Sequence, residues 1–543
     1  LLADLEPGRR GGGRPPQCEQ RTRTAMVLGY VSALLVPLLL ALAWPHFERA
    51  AQNVGSLGYG AVTEAIRDPH AVLRSVSLTG HLRARPDPKR PVEAPPADRG
   101  GAAEPLPVEE EASKKPLAFG VWWFAPFLSG GGYSSEAVGF ATALAGSADL
   151  RSEGLLLTQH GDALSHSFFQ GLDAGTQAML QKHMSLASRA SAKDAKHAVV
   201  VCHSEPGAWN VPRPLYQTSK CPPSTVEASL FVIGRTMFET DRLTPTHVAR
   251  CNAMNEVWVP TAFHVGTFAK AGVDPAKLRA VPEPVDVDFF DPEKYEPLDL
   301  PWLLGADSGR AAKRVFRSPR AAGRKGCALV SIFKWEERKG WDFLLKAFLS
   351  EFSGDDDVAL VMLTNPYHGT SNFVEQMKTW ARENMGPPPE GGWPEVLVID
   401  KHLPTAVLPR LYKAARAFVL PSRGEGWGRP NVEAMSMGVP VIATNWSGPT
   451  AYLTEENGYP LRVEGLDTIQ EGFMEGHQWA RPSAAHLREL MRLAFSDPAG
   501  AAARGKLARR DMVAKYSPDA VGRVVVRELR RVEATLIGGL ARG

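Results

Sequence analysis

The order of apolar runs and amphipathic segments predicts an α/β protein: two tandem, doubly wound domains facing a cleft, preceded by an apolar segment and a proline-rich stem. Three observations carry this reading. At 543 residues the chain is too long for one hydrophobic core. Strand-like runs alternate with helix-like segments twice, once from Leu117 and again from about Cys327. Such alternation builds parallel sheets covered on both faces. Finally, the stretch GEGWGRPNVEAMSMGVPVIAT, Gly424 to Thr444, reads as glycine turn, short helix and buried strand in succession.

Residues 1–24 read as a disordered basic N-terminus. Residues 25–44, AMVLGYVSALLVPLLLALAW, are twenty positions without a charge, about the length a helix needs to cross a hydrocarbon core. Arg14, Arg21 and Arg23 precede them. That bias favours a cytoplasmic N-terminus and hence a single-pass type II signal anchor, placing the protein in the endomembrane system (Golgi or ER). The A-x-A pattern in ALAW also fits a cleaved signal peptide and secretion, and a start at Met26 is a further alternative. Residues 45–116 form a stem rich in proline, alanine and mixed charge, with too little apolar surface to order itself.

The first domain is expected at 117–300. Its first strand runs from Leu117 into the glycines at 130–132, and Ser134 or Ser135 caps the helix that follows, with Glu136 in its first turn. Further strands are expected at 197–204, 229–236 and 256–261. A linker follows at 301–325, then the second domain at 326–500 and C-terminal helices at 501–543. In the second domain CALVSIF, VALVMLT, PEVLVID and AFVLPS read as strands, and GWDFLLKAFLSEF and TAVLPRLYKAA as helices. Ligands bind such sheets at the carboxyl ends of the strands, so the inter-domain cleft is the expected site.

Composition excludes some classes. Lys plus Arg number 62 against 59 acids, so no overall positive field draws the chain to nucleic acid. The five cysteines show no CxxC pair or regular spacing. Neither zinc nor a disulfide framework is expected, and Cys202 and Cys327 read as small buried thiols. The sequon Asn445-Trp446-Ser447 follows a buried strand and is not expected to be glycosylated.

The chemistry concentrates in the 424–444 stretch. Gly426 and Gly428 let the backbone approach a ligand and turn its N–H groups outward, and Pro430 fits the first helical position. Gly438 fits the left-handed residue beyond the helix, with Pro440 blocking continuation. The helix N-terminus favours an anion. Glu425 lies in the loop and Glu433 on the helix. Two carboxylates for hydroxyl groups, with anion-binding amides between them, match the layout of a sugar nucleotide: sugar, diphosphate, ribose.

With these residues in view, the chain resembles the glycosyltransferase group 1 family, the family four of retaining enzymes with the GT-B fold of two Rossmann-like domains. The E-x7-E motif stands as Glu425 and Glu433, and the likeness runs on through SIFKWEERKGWD, IDKHLPTAVLPRLYKAARAFVLPSRGEGWG and VPEPVDVDFFDP. The resemblance implies that Glu433 holds the ribose hydroxyls and Glu425 the donor sugar near its reacting carbon. It implies that the amides of Gly426, Trp427 and Gly428 face sugar and phosphate, that Lys334 and Lys339 bind the diphosphate, and that the backbone at Leu403 meets the base. Lys334 departs from the family's usual arginine and offers a point charge without a planar fork. Gly131 and Gly132 match the loop that closes over diphosphate and acceptor, and His203 the histidine near the donor sugar.

The implied activity is retaining, metal-independent transfer of a hexosyl group from a nucleotide-diphosphate sugar, with no cofactor, to a glycan, lipid or protein acceptor, beside a membrane entered through residues 25–44. The D-x-D at 286–288, a metal signature elsewhere, falls in the family's inter-domain segment and reads as structural. Glu239, Asp241 and Arg242 fit a structural ion pair as well as an acceptor site. The alternative is a catalytically inactive nucleotide-sugar-binding protein of the same fold. An NAD-dependent oxidoreductase fits poorly, because SGGGYSSEA is not G-x-G-x-x-G.

Overall fold

The computed structural model describes residues 115–161, 163–209, 218–300, 312–317, 327–366, 372–401 and 403–540. The expected basic N-terminus, the segment at 25–44, nearly all of the stem and most of the linker lie outside the described residues. Among the described residues no helix is long and apolar enough to cross a membrane. Apart from Gln470–Phe473, the described residues belong to one compact unit.

The first sheet contains β1 (Gly120–Ala125), β2 (Leu155–Gln159), β3 (Ala198–His203), β4 (Phe231–Arg235), β5 (Glu256–Val259) and β6 (Leu278–Ala280). Their order is β2-β1-β3-β4-β5-β6, parallel throughout. Such strands are covered on both faces and need apolar side chains on each; every residue of β3 is buried. The covering helices include α1 (Gly132–Ala145), α2 (His166–Gly171), α3 (Ala174–Ala187), α4 (Pro245–Asn252) and α5 (Ala262–Ala271). Thr261 caps α5 by accepting from the His264 amide, and Gly272, at φ 111°, ends it in the left-handed conformation. The strands expected at 197–204, 229–236 and 256–261 are present. Sequence reading passed over β2 and β6, whose short runs carry weak patterns.

The second sheet contains β7 (Ala312–Phe316), β8 (Cys327–Trp335), β9 (Val358–Pro366), β10 (Glu395–Ile399), β11 (Ala417–Leu420), β12 (Val441–Thr444) and β13 (Tyr459–Leu461). Their order is β13-β12-β11-β8-β9-β10-β7. It is parallel except for β7, which lies antiparallel on β10 at the edge. A strand thus stands where a plain linker was expected. The helices here are α6 (Trp341–Glu351), α7 (Phe373–Asn384), α8 (Val407–Lys413), α9 (Arg429–Ser436), α10 (Ala484–Ser496) and α11 (Pro498–Asp511). A separate antiparallel pair, β14 (Val463–Thr468) and β15 (Gln478–Pro482), lies outside the large sheets.

Strand order reverses between β1 and β3 in the first sheet and between β8 and β11 in the second. A crevice opens at the carboxyl ends of strands on either side of such a reversal. β1 leads to Gly130–Gly132, β3 ends at His203, β8 carries Lys334 at its end, and β11 leads to Glu425. Nearly all the candidate residues therefore emerge at the two reversal points.

Two expectations are corrected. Cys202 is bonded to Cys221, nineteen residues on; linear spacing says nothing of the spatial approach that permits the bond. The first-domain helix has no serine cap. Gly131 occupies the cap position without a side-chain bond, and Ser134 Oγ instead donates to the Pro126 carbonyl at 2.6 Å. The last helix, α12 (Pro518–Leu540), returns to the first sheet. Its buried Val521, Val525, Leu529 and Val532 join the core of the first sheet, on one helical stripe. A Cβ at Gly522 would stand 3.2 Å from the Ala143 Cβ of α1. Arg530 pairs with Asp149 at 2.8 Å and Arg531 with Glu256 at 2.6 Å.

Because Leu529 is fully buried in that contact, Leu529→Ala is expected to destabilise the fold by about 2–5 kcal/mol. Urea unfolding followed by circular dichroism checks this; an unchanged midpoint would contradict the docking of α12.

Candidate active site

The loop from β11 to α9 carries Glu425, whose carboxylate is buried. Lys339 reaches it from the short turn after β8, with Nζ 2.7 Å from Oε1 and 2.9 Å from Oε2. Arg338 Nη1 stands 3.5 Å from Oε2. Burial pushes the Glu425 carboxyl up, but Lys339 and then Arg338 outweigh it and hold the group below its ordinary value. Burial in turn, with the neighbouring Arg338 charge, lowers the Lys339 ammonium below its ordinary value despite Glu425.

The backbone at Glu425 is clamped from β12's far end. Its N–H donates to Ser447 Oγ at 2.9 Å and its C=O accepts from the Gly448 amide at 2.9 Å. Ser447 has φ 58°, among the described residues the one non-glycine at positive φ. Backbone strain of this kind is held only where surrounding contacts over-determine it. The Lys339–Gly340 turn is equally tight. Gly340 has φ 67°, and a Cβ there would lie 2.0 Å from the Pro421 carbonyl oxygen, so only glycine lets this turn lie against the end of β11.

Glu433, on α9, accepts from the Tyr412 hydroxyl at 2.9 Å. Burial raises its carboxyl above the ordinary value, and Arg429 and Tyr412 offset this in part. Pro430 stands second in α9, behind Arg429, rather than first; Gly438, at φ 69°, ends the turn as expected.

The two sheets meet around this loop. A Cβ on Gly424 would lie 2.0 Å from the Glu239 carbonyl oxygen, and one on Gly426 would lie 2.2 Å from Met237 Sδ. Arg338 Nη2 stands 3.6 Å from Glu239 and 2.8 Å from Glu336. Exposed Lys334 faces the glycine loop: a Cβ on Gly131, at φ 106°, would be 3.8 Å from its Nζ. Gly132 opens α1, and a Cβ there would meet nothing within 4 Å, so its lack of a side chain keeps space open.

One assignment changes. His203 is wholly buried, with Nδ1 accepting from Trp123 Nε1 at 3.2 Å and Nε2 3.1 Å from Glu136 Oε2. A ring enclosed on both nitrogens cannot touch a donor sugar, so its catalytic assignment gives way to a positioning one. Glu136 also receives Arg235 at 2.7 Å; burial raises its carboxyl, but Arg235 and His203 overcome this and take it to about 2. The indole of Trp427 is 1% exposed, packed on Tyr452 and Tyr516, and the Trp427 carbonyl accepts from the Tyr452 hydroxyl at 2.7 Å. Leu403 is half-buried against the second core.

Asp286 accepts from the Asp288 amide at 3.2 Å and the Phe289 amide at 2.8 Å, a turn cap in keeping with the structural reading of D-x-D. Asp241 pairs with Arg242 at 2.7 Å and accepts from the Gln478 amide at 2.6 Å. Sequence reasoning missed Arg338, Tyr412 and Ser447. Arg338 stood in view between the two lysines, whereas Tyr412 and Ser447 carry no local signal.

Residues 324–472 match the family model described as glycosyl transferases group 1, bearing out the resemblance in that stretch. The chain is 26% identical over 201 residues to the D-inositol 3-phosphate glycosyltransferase of Acidothermus cellulolyticus, across 36% of this chain and 39% of that protein. A stretch of 44 residues is 57% identical to O-antigen chain mannosyltransferase B of Escherichia coli, 8% of this chain and 12% of that one. The chain thus spans well under half the length of both curated relatives. In three dimensions, 76% of it matches all of the crystal structure of Anabaena Alr3699/HepE in complex with UDP and glucose, at a TM-score of 0.50 and 12% identity. That identity speaks to fold alone, which is the GT-B arrangement of two largely parallel α/β sheets.

A carboxyl held below its ordinary value stabilises the fold above pH about 4.5, and that contribution is lost as pH falls through the folded-state value. Lys339→Met leaves burial to dominate, so the Glu425 carboxyl rises. We expect a loss of about 3 kcal/mol or more at pH 7, and a smaller difference from the unmodified protein as pH falls towards 4. Urea midpoints across pH 4–7 check this; a constant offset would contradict the pairing.

Proposed function

We propose that this chain, whose second sheet domain is that of a group 1 glycosyltransferase, moves a sugar from a nucleotide-diphosphate sugar to an acceptor with retention of anomeric configuration and without a metal. The observation that carries the reading is the buried Lys339–Glu425 pair at the carboxyl end of the second sheet, where Lys334, also from that sheet, is approached by Gly131 from the first.

The difficult step is cleavage of the bond between the anomeric carbon and the diphosphate oxygen, which leaves negative charge on the departing nucleotide. Fixed cations and oriented amides stabilise that charge where it develops, each such donor contributing about 3–4 kcal/mol in comparable sites. Lys334 supplies one cation. Lys339 uses two of its three protons on Glu425, and the third is available to a phosphate oxygen. The amides of Gly426, Trp427 and Gly428, ahead of α9, supply dipoles.

Glu425, kept ionised by Lys339, accepts the donor sugar's hydroxyls and holds its reacting carbon in place. Glu433 accepts the ribose hydroxyls, and the backbone at Leu403 borders the base. The acceptor hydroxyl attacks from the side the diphosphate leaves, so configuration is kept, and its proton passes to the departing phosphate. His203 and Glu136 hold the wall beneath the glycine loop, which closes over the diphosphate through Gly131 and Gly132.

A panel of UDP-, GDP- and ADP-sugars, scored by thermal stabilisation and by nucleotide release, tests the reading. Glu425→Gln is expected to keep donor binding and lower transfer at least tenfold; transfer at the unmodified rate would remove Glu425 from the chemistry. Activity is expected to persist in EDTA, and complete loss restored by manganese would overturn the metal-independent mechanism.

A further inference from the structure

The loop that follows β4 makes contacts that the chemistry assigned above leaves unused. Phe238 is buried in a core of the first sheet, and its two neighbours meet the loop that carries Glu425. A Cβ on Gly426 would lie 2.2 Å from Met237 Sδ, and one on Gly424 would lie 2.0 Å from the Glu239 carbonyl oxygen. Two residues on, Asp241 docks on β15. Its N–H donates to the Gln478 carbonyl at 2.9 Å, and its carboxylate accepts from the Gln478 amide at 2.6 Å. β15 is tied in turn to the Glu425 loop, because the Ala480 N–H donates to the Arg423 carbonyl at 2.8 Å.

Among these contacts the Glu239 side chain meets Arg338. A guanidinium offers five N–H groups in a planar fork, so it can serve partners on two edges at once. Arg338 Nη1 donates to the Gly424 carbonyl at 2.6 Å, with Glu425 Oε2 3.5 Å away. Nη2 donates to Glu336 at 2.8 Å, with Glu239 Oε1 3.6 Å away. One edge therefore holds Glu425 and the residue before it. The other lies between an acid of its own turn and an acid of the first domain. Lys339, a point charge on the same carboxylate, has no second edge with which to bridge.

We infer that Arg338 is a positioning residue for Glu425, aimed by Glu239, so that the donor site is complete only while the 237–241 loop of the first domain is docked. Cleavage of the donor bond is thereby tied to closure of the cleft. Glu239 belongs to Arg338 on this reading, and not to an acceptor. The inference rests on the glycosyl-transfer reading for the chemistry that Glu425 serves.

The experiment measures nucleotide release to water from whichever UDP-, GDP- or ADP-sugar turns over fastest. With no acceptor sugar present, a residue that touches only the acceptor does not register. Arg338→Gln is expected to lower kcat about tenfold or more and Glu239→Gln about threefold or more, with donor KM within about threefold of the unmodified protein. In a Glu425→Gln background neither substitution is expected to lower kcat further, because residues that act through one group are not additive. The pH profile supplies a sign. Lys339, Arg338 and the Tyr452 phenol, which burial holds above its ordinary value, face Glu425, with the Glu239 and Glu336 carboxylates beyond Arg338. Without the Arg338 charge, burial weighs more on the Glu425 carboxyl, so kcat in Arg338→Gln is expected to fall away at a higher pH. Arg338→Lys keeps the charge and therefore that limb, but not the full kcat, because the fork is lost. If circular dichroism shows Arg338→Gln misfolded, Glu239→Gln decides instead. The inference is overturned if kcat is unchanged in both variants, if their losses add in full to that of Glu425→Gln, or if Arg338→Gln lowers kcat equally at every pH. Failure of the transferase reading would look different: no nucleotide release from any donor by the unmodified protein.

Discussion

A carboxylate taken out of water must be compensated or neutralised, and the buried charge of Glu425 organises the centre of this molecule. An isolated charge in such a place would cost far more than the net stability of a domain. Lys339 and Arg338 come from β8's end and Ser447 and Gly448 from β12's end, so two strands flanking β11 converge on one residue of its loop. The compensation works in both directions: Lys339 would itself lose its proton more readily without Glu425. Such a pair is dear to bury and therefore easily upset.

Close backbone approach is the second constraint, and it follows from the first. For Lys339 to reach Glu425, its turn must press on the end of β11, which Gly340 permits. For the first sheet to close the crevice, its Met237–Glu239 strand-end loop must meet Gly424 and Gly426 with no Cβ in the way. The glycines of the 424–428 loop are thus packing requirements as well as sources of exposed amides. The returning helix α12 ties the chain's end to the first sheet through Val521, Val525, Leu529 and Val532. Its two arginine pairs add direction more than energy, being partly exposed.

A second buried charge group lies in the first domain. Glu136 joins Arg235 and His203, and Glu283 nearby is approached by Arg429 of α9 at 3.5 Å. Burial and the Glu136 charge raise the Glu283 carboxyl well above its ordinary value, with Arg429 and Arg235 opposing. The first residue of α9 is therefore bonded into the wall of the first domain, where it also donates to the Pro284 carbonyl at 3.1 Å. The placement of His203 makes sense in this company, as a close partner for a carboxylate no solvent reaches.

The sequence by itself determined the two doubly wound sheets, most of their strands, and the glycine turn and helix that carry Glu425 and Glu433. It could do so because buried parallel strands demand unbroken apolar runs, and because glycines followed closely by a proline mark a turn that opens a helix. What only tertiary structure decided is everything that depends on distant segments meeting. Examples are the Cys202–Cys221 bond, β7 lying antiparallel on β10, the return of α12, the clamp from Ser447, and the hydroxyl of Tyr412 on Glu433. His203 shows the limit most clearly: its place at a strand end was legible, but whether its ring faced the crevice or the core depended on Trp123 and Glu136, some eighty and sixty-seven residues earlier. Periodicity reports which face of an element is apolar; it carries no information about which other element will cover that face.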